Sequence, residues 1–247
     1  MQSNALQNKS IILTGSTVVM SVKELITQHG GKVFCYPLIE TVEKVTKEEQ
    51  TYLRNLTKYH WLIFTSQNAV KFFVNKLDRY GVSLPQHIKI AAVGEKTAAL
   101  LNQHELTIDF MPTIYSADVF IQEFKLESNE RALFVRGSMA KSTIHDGTGA
   151  DELTVYETKP CDCYIEDLKH SVQNEQNPIV IFASPSAVEV YAKEIVPFAN
   201  WDEVKCASIG HITTAALQNY GVTPIVQPKI YTMQAVIEQL ILEESST

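Results

Sequence analysis

Short apolar runs in this chain alternate with segments whose apolar residues recur at helical spacing. Leu62-Ile63-Phe64 leads through the polar turn Thr65-Ser66-Gln67-Asn68 into a segment where Val70, Phe73, Val74 and Leu77 share one helical face. Further on, Ile181-Phe182 leads through Ala183-Ser184-Pro185-Ser186 into Val188, Tyr191, Ala192 and Ile195 at the same spacing. The copies stay in step downstream. Ile90-Ala91-Ala92-Val93-Gly94-Glu95-Lys96-Thr97 resembles Cys206-Ala207-Ser208-Ile209-Gly210-His211-Ile212-Thr213. Pro112-Thr113-Ile114-Tyr115-Ser116 resembles Pro228-Lys229-Ile230-Tyr231-Thr232. Each strand followed by a helix predicts parallel sheets with right-handed crossovers.

The segments before each copy correspond more weakly. Ile12-Leu13-Thr14-Gly15-Ser16 matches Phe134-Val135-Arg136-Gly137-Ser138, and the extended run Lys32 to Glu40 matches Glu152 to Pro160, with Tyr36 near Tyr156. The order is therefore A, B, A′, B′, self-similarity of the kind that marks duplicated architecture. The expected fold class is α/β, with two similar flavodoxin-like doubly wound parallel-sheet domains. The repeat alone permits tandem domains or one domain inside the other. The two extended runs favour insertion, because they could pair as a two-stranded β ladder joining the domains. The expected boundaries are 1–36 with 161–247 for the first domain and 37–160 for the inserted one, with linker strands near 33–42 and 152–159.

Composition narrows the function. The chain has 247 residues, 45% of them hydrophobic, and a net charge of −7. That balance, with no Lys/Arg block, argues against nucleic-acid binding. The polar start Met1 to Lys9 predicts no secretory signal, and no apolar run approaches a membrane span, so a cytoplasmic protein is expected. Cys35, Cys161, Cys163 and Cys206 include no Cys-x-x-Cys pair, and the seven histidines show no paired spacing. Reduced thiols and no metal are expected.

Four polar turns stand at equivalent places, at Ser66, Thr97, Ser184 and Thr213. In a parallel sheet such turns lie at the carboxyl ends of strands, where ligands bind. Hydroxyls and free N–H groups there suit anions. Serine and threonine also simply cap helices, and it is the repetition in both copies that favours a shared ligand. Gly94 and Gly210 follow strands and allow both a tight turn and close backbone approach. No Gly-x-Gly-x-x-Gly or Walker pattern supports a nucleotide, and Gly15-Ser16-Thr17 is too short to change that. Tyr156 suits packing in a strand and also suits proton donation, a phenol's ordinary pKa being about 10. His211 begins a helix, where a solvated surface role is the simpler reading. The neighbouring carboxylates Glu48 and Glu49, or Asp151 and Glu152, should point apart and do not read as an acid/base pair.

The joint order of Pro37-Leu38-Ile39, Leu62 to Val70, Val93-Gly94-x-x-Thr97, Leu153 to Thr158, Phe182 to Ser186 and Ile209-Gly210-x-x-Thr213 resembles uroporphyrinogen-III synthase over nearly the whole chain. The resemblance implies one domain inserted in the other through a two-stranded ladder, and a lyase acting on the linear tetrapyrrole hydroxymethylbilane. That substrate would close with loss of water and inversion of ring D, with no cofactor. The resemblance points to Tyr156 as the catalytic residue and to Thr97, Ser184, Ser186, Thr213 and Thr214 as substrate-binding residues. The matched turns add Ser66, Gln67, Asn68, Gly94 and Gly210. Expected partners are the tetrapyrrole and, transiently, the preceding pathway enzyme that hands it over; nucleic acid and membrane are not expected, and the protein is expected to be a monomer. Two departures stand out. Gly15-Ser16 occupies the place of an Arg-Pro, which removes a carboxylate partner, and the Gly-rich stretch 137–150 replaces a full helix, which predicts a thinner face there. The main rival is a two-domain sensor that binds a small anion without turnover. A nucleotide-sugar transferase would need a nucleotide pocket and an acidic metal site, and neither pattern is present in the sequence.

Overall fold

The computed structural model describes residues 4–16 and 20–245; Thr17 of the Gly15-Ser16-Thr17 turn, residues 1–3 and residues 246–247 lie outside them. The chain divides into two compact units, residues 1–40 with 159–247 and residues 41–158.

The first unit is a parallel sheet of β1 (Ser10–Leu13), β2 (Lys32–Cys35), β8 (Pro178–Phe182) and β9 (Lys205–Ser208), ordered β2-β1-β8-β9. Its inner strands are apolar apart from Ser10 because both faces are covered. Ile12, Val180, Phe182 and Cys206 pack under α7 (Ile165–Asn174), α8 (Pro185–Glu194) and α9 (His211–Gln218). The alternate residues Ile11, Leu13, Ile179, Ile181 and Ala207 pack against α1 (Met20–Gln28) and α10 (Met233–Ser245).

The second unit orders its strands β3-β7-β6-β4-β5, from β3 (Ile39–Glu43), β4 (Trp61–Phe64), β5 (Lys89–Ala92), β6 (Ala132–Gly137) and β7 (Asp151–Pro160). The helices α2 (Glu49–Arg54), α3 (Gln67–Tyr80) and α4 (Glu95–Gln103) cover one face, and α5 (Ala117–Glu123) and α6 (Thr143–Thr148) cover the other. β3 runs antiparallel to β7: Lys44 N donates to Val155 O and Cys161 N to Leu38 O, each at 3.0 Å.

Adding the single bridges Ala207↔Val226 and Ala91↔Phe110 shows how the repeat maps onto space. In the first unit the strands run second-first-third-fourth-fifth, the flavodoxin order. Apart from the extra edge strand β3, the second unit has the same order when counting starts at β6. It is a circular permutation of the first, which is why the sequence repeat reads A, B, A′, B′.

One detail corrects the sequence reading and another adds to it. The run 32–40 is not one strand. It stops after Cys35, turns through Tyr36-Pro37-Leu38, where the proline offers no N–H to a ladder, and resumes at Ile39. The stretch 137–150 holds only a short helix. It forms the six-residue α6, and a Cβ at Gly147 would come within 2.6 Å of the Ile121 side chain, so glycine lets α6 lie close on α5.

The duplication also identifies a weak point. Tyr191 packs edge-on to Phe182 at 5.2 Å, as Phe73 does to Phe64 at 5.6 Å in the other unit. The Tyr191 hydroxyl is buried and has no hydrogen-bond partner among the described residues. A buried unpaired hydroxyl costs about 1–3 kcal/mol. Tyr191→Phe is therefore expected to raise the unfolding free energy by about 1 kcal/mol, the low end because it leaves a small void. Urea unfolding checks this, and a lower midpoint with unchanged slope contradicts it.

Candidate functional site

Parallel strands bring all their carboxyl ends to one edge of each sheet, and the repeated turns gather there. In the second unit, β4 ends at Phe64 and the chain turns through Thr65 into α3. Ser66 is the N-cap, in extended conformation, and its Oγ accepts from Ala69 N at 3.1 Å. Gln67 and Asn68 supply the first helical amides, which lack intrahelical partners by construction. Gly94, also extended, caps α4 after β5.

Tyr156 joins this edge through a register slip. Arg136 pairs with Thr154, but Gly137 pairs with Tyr156, so β7 gains a residue on β6 at that point. Such a bulge re-aims the side chain that follows it. The Tyr156 hydroxyl lies 3.1 Å from Ser66 Oγ, and its ring stacks on Phe72 at 5.7 Å. Gly137 also lies against it, and a Cβ there would sit 2.3 Å from Tyr156 Cζ. The phenol thus packs on a ring and a glycine, with its hydroxyl at a helix N-cap.

In the first unit Ser184 caps α8, its Oγ accepting from Ala187 N at 3.3 Å, with Pro185 and Ser186 opening the helix. Gly210 caps α9. Ala183, Ser184, Pro185, Gly210, Ile212 and Tyr231 are among the residues lining a depression of about 230 Å³. The depressions of about 380 Å³ beside Pro160 and Lys193 and about 510 Å³ beside Asn200 and Thr223 are larger. Neither is lined by the repeated turns, and the second lies at the amino end of β9, beside Lys205; position decides in this fold.

Three threonines sit differently from the serines. Thr97 and Thr213 are third residues of α4 and α9, and both are buried. The true caps are the glycines three positions earlier, so these hydroxyls are not part of the turn. Thr214 Oγ1 donates to Gln227 Oε1 at 2.5 Å and lies 2.6 Å from Ser208 Oγ. Thr97 and Thr213 thus lie inside the helix starts and Thr214 is tied to Ser208 and Gln227, while Ser66, Gln67, Asn68, Gly94, Ser184, Ser186 and Gly210 stand at the edge itself. His211 is exposed, and its Nδ1 lies 2.9 Å from the Tyr231 hydroxyl. At the Gly15-Ser16 turn, the Thr14 hydroxyl is buried and donates to Ile181 O at 2.8 Å. Its repeat counterpart Arg136 is ion-paired to Glu152.

A family model described as uroporphyrinogen-III synthase HemD matches residues 21–238. The chain belongs to the uroporphyrinogen-III synthase family. Within that family, it is 30% identical over 226 residues to the uroporphyrinogen-III synthase of Chlorobaculum parvum, covering 85% of this chain and 88% of the relative. The fold is that of the uroporphyrinogen-III synthetase of Helicobacter pylori (TM-score 0.68, 20% identity, 95% and 99% of the two chains). It is also that of a mutant uroporphyrinogen III synthase from Thermus thermophilus (TM-score 0.65, 16% identity, 96% and 98%).

Sequence reasoning did not single out four features of this synthase-family edge. They are Gly137, Phe72 and the exposed pairs Ile114-Tyr115 and Ile230-Tyr231. The repeated Pro-x-Ile-Tyr-Ser/Thr motif was the available signal for the pairs. Tyr115 donates to Glu95 Oε1 at 2.7 Å, and that bond raises its phenol pKa. Among the described residues no group of three or more His, Cys, Asp or Glu side chains is placed to hold a metal, and no helix is long and apolar enough to cross a membrane.

Proposed function

We propose that this protein is a lyase of tetrapyrrole synthesis that closes hydroxymethylbilane, with loss of water and inversion of ring D, to uroporphyrinogen III. The family match over residues 21–238 carries the reading, and the edge chemistry is in keeping with it. Departure of the ring A hydroxyl is driven by the lone pair of the pyrrole nitrogen, so the protein need supply little acid or base. Its larger task is to hold the chain so that the substituted carbon of ring D attacks, which is catalysis by positioning.

Tyr156 is the proposed proton donor to the leaving oxygen, oriented by Ser66 Oγ at 3.1 Å and by Phe72. The amides and side chains at Ser66, Gln67, Asn68, Gly94, Ser184, Ser186 and Gly210 are proposed to take acetate and propionate groups, as helix starts favour anions. Thr97, Thr213 and Thr214 are proposed to complete the substrate-binding set, Thr97 and Thr213 from buried positions within the first helical turn. We also place the protein in the cytoplasm, acting as a monomer that receives its unstable substrate directly from the preceding enzyme.

General acid assistance contributes about 10²–10⁴ in rate. Because the pyrrole nitrogen already drives departure, Tyr156→Phe is expected at the low end, about a hundredfold slower in single turnover with freshly made hydroxymethylbilane. A folded variant with full single-turnover rate would make Tyr156 a packing residue. A wild-type protein that binds but never consumes hydroxymethylbilane would be a sensor and not an enzyme.

A further inference from the structure

The two units present equivalent edges with different chemistry. At the starts of α3 and α4 in the second unit stand Thr65, Gln67 and Lys96. Their repeat counterparts in the first unit are Ala183, Pro185 and Ile212. Three polar side chains on one edge are replaced by three apolar ones on the other, and it is the apolar set that lines the 230 Å³ depression.

The tyrosines of the repeated motif differ in the same sense. A Cβ on Gly94 would meet only the Tyr115 Cβ, at 3.8 Å. A Cβ on Gly210 would meet Cγ, Cδ1 and Cδ2 of Tyr231 at 3.0–3.2 Å. The Tyr231 ring therefore lies against the Gly210 backbone, while its hydroxyl is fixed at 2.9 Å from His211 Nδ1. Yet the residue is 52% exposed, and Ile212 beside it is 63% exposed. A large apolar surface that is left open to water but held at two points is organised to receive something flat. The volume is below the roughly 300–1,000 Å³ of a complete small-molecule site, so it suits one ring of a larger ligand.

We propose that Tyr231, with Ile212 and Pro185, forms a seat for the face of a single pyrrole ring of the linear tetrapyrrole, and that this seat exists in the first unit alone. The inference rests on the function proposed above. Duplication supplied two like edges. One kept polar side chains beside Tyr156, where the protonated oxygen leaves as water. The other kept its helix-start amides for carboxylates but gained, in its side chains, an apolar platform that fixes the orientation of a ring. Tyr231 is on this account a positioning residue, holding the substrate before and during reaction.

The test compares wild type, Tyr231→Ala and Ile212→Lys, the second installing the residue of the other unit at an exposed position. Steady-state KM and kcat with fresh hydroxymethylbilane are measured together with anaerobic equilibrium dialysis of uroporphyrinogen III. Both variants are expected to raise KM and weaken product binding about tenfold, with the loss falling on KM more than on kcat, the signature of uniform binding. Tyr231→Phe, which keeps the ring, is expected to recover most of the affinity. Unchanged KM and product affinity in both folded variants, or a loss confined to kcat, overturns the seat. Failure of the wild type to consume hydroxymethylbilane at all would instead overturn the proposed function.

Discussion

Replacing Gly137 with alanine is expected to slow turnover about a hundredfold while leaving the protein folded. A Cβ there would sit 2.3 Å from Tyr156 Cζ and 2.7 Å from its hydroxyl oxygen, closer than non-bonded atoms approach. Phe72 of α3 stacks on the ring, so a shift of the ring disturbs that contact. The expected consequence is a shift of the phenol away from Ser66 Oγ. A misplacement of about 1 Å at a reacting group costs on the order of 10²-fold. The Gly137 backbone is not in the left-handed region, so alanine adds a collision and no backbone strain. The double variant with Tyr156→Phe should be about as slow as either single one, because both remove the same hydroxyl from the same place. Full activity in Gly137→Ala with an unchanged melting temperature would mean that the position of the phenol does not matter.

The largest expected effect on stability lies at Lys76. Its ammonium is fully buried, 2.8 Å from Glu43 Oε1, 2.5 Å from Glu49 Oε2 and 2.9 Å from the Lys44 carbonyl. Glu49 is itself buried, and it also accepts from the Tyr80 hydroxyl at 2.6 Å and from Thr46 N at 3.3 Å. The cluster ties the end of β3, where the chain enters the second unit, to the helix that begins at Ser66. Removing one member of a buried ion pair leaves the other uncompensated and costs about 3–5 kcal/mol. Lys76→Met is expected to lose that much at neutral pH, measured by urea unfolding.

The pH dependence follows from the two carboxylates. Burial works to raise both pKa values, but hydrogen bonds from Arg79 and Lys76 to Glu43, and from Lys76 and Tyr80 to Glu49, outweigh it and hold both below the usual carboxylate range. A depressed pKa contributes stability that is present above the unfolded value, about 4.3, and is lost as pH falls through the folded value. The wild type should lose this contribution in acid. In Lys76→Met burial of Glu49 loses its main counterweight, so the deficit against wild type should narrow as the solution is acidified. A deficit under about 1 kcal/mol at neutral pH, or one that widens in acid, would contradict this account of the cluster.

Several of these features were legible in the chain and others were not, for reasons of distance. The caps at Ser66 and Ser184 are local: a serine after an apolar strand needs only its own helix to reveal it. Thr97 and Thr213 stand off the cap position because the repeat marks a segment and not a phase. The glycines take the cap, and the threonines fall inside the first turn. The meeting of Tyr156 with Ser66, ninety residues apart in sequence, depends on β7 lying next to β6 and β6 next to β4, together with a one-residue slip, and none of these is a local property. Glu48 and Glu49 do diverge, as neighbours on a helix must. The partner of Glu49 is a lysine whose place on α3 looks like an ordinary solvated position. The break at Tyr36-Pro37-Leu38 was signalled by the proline itself. The asymmetry between the two edges was printed in the repeat as Thr65, Gln67 and Lys96 against Ala183, Pro185 and Ile212, but only the shared edge geometry gives those differences a meaning.

The central claim is that this chain directs the closure of a linear tetrapyrrole and does not merely bind it. Freshly prepared hydroxymethylbilane closes unaided to the type I isomer. Incubating it with the purified protein, then oxidising and resolving the isomers chromatographically, tests the claim most directly. The account predicts consumption faster than the unaided rate and a product that is predominantly type III. Consumption at the unaided rate with type I as the product would contradict it.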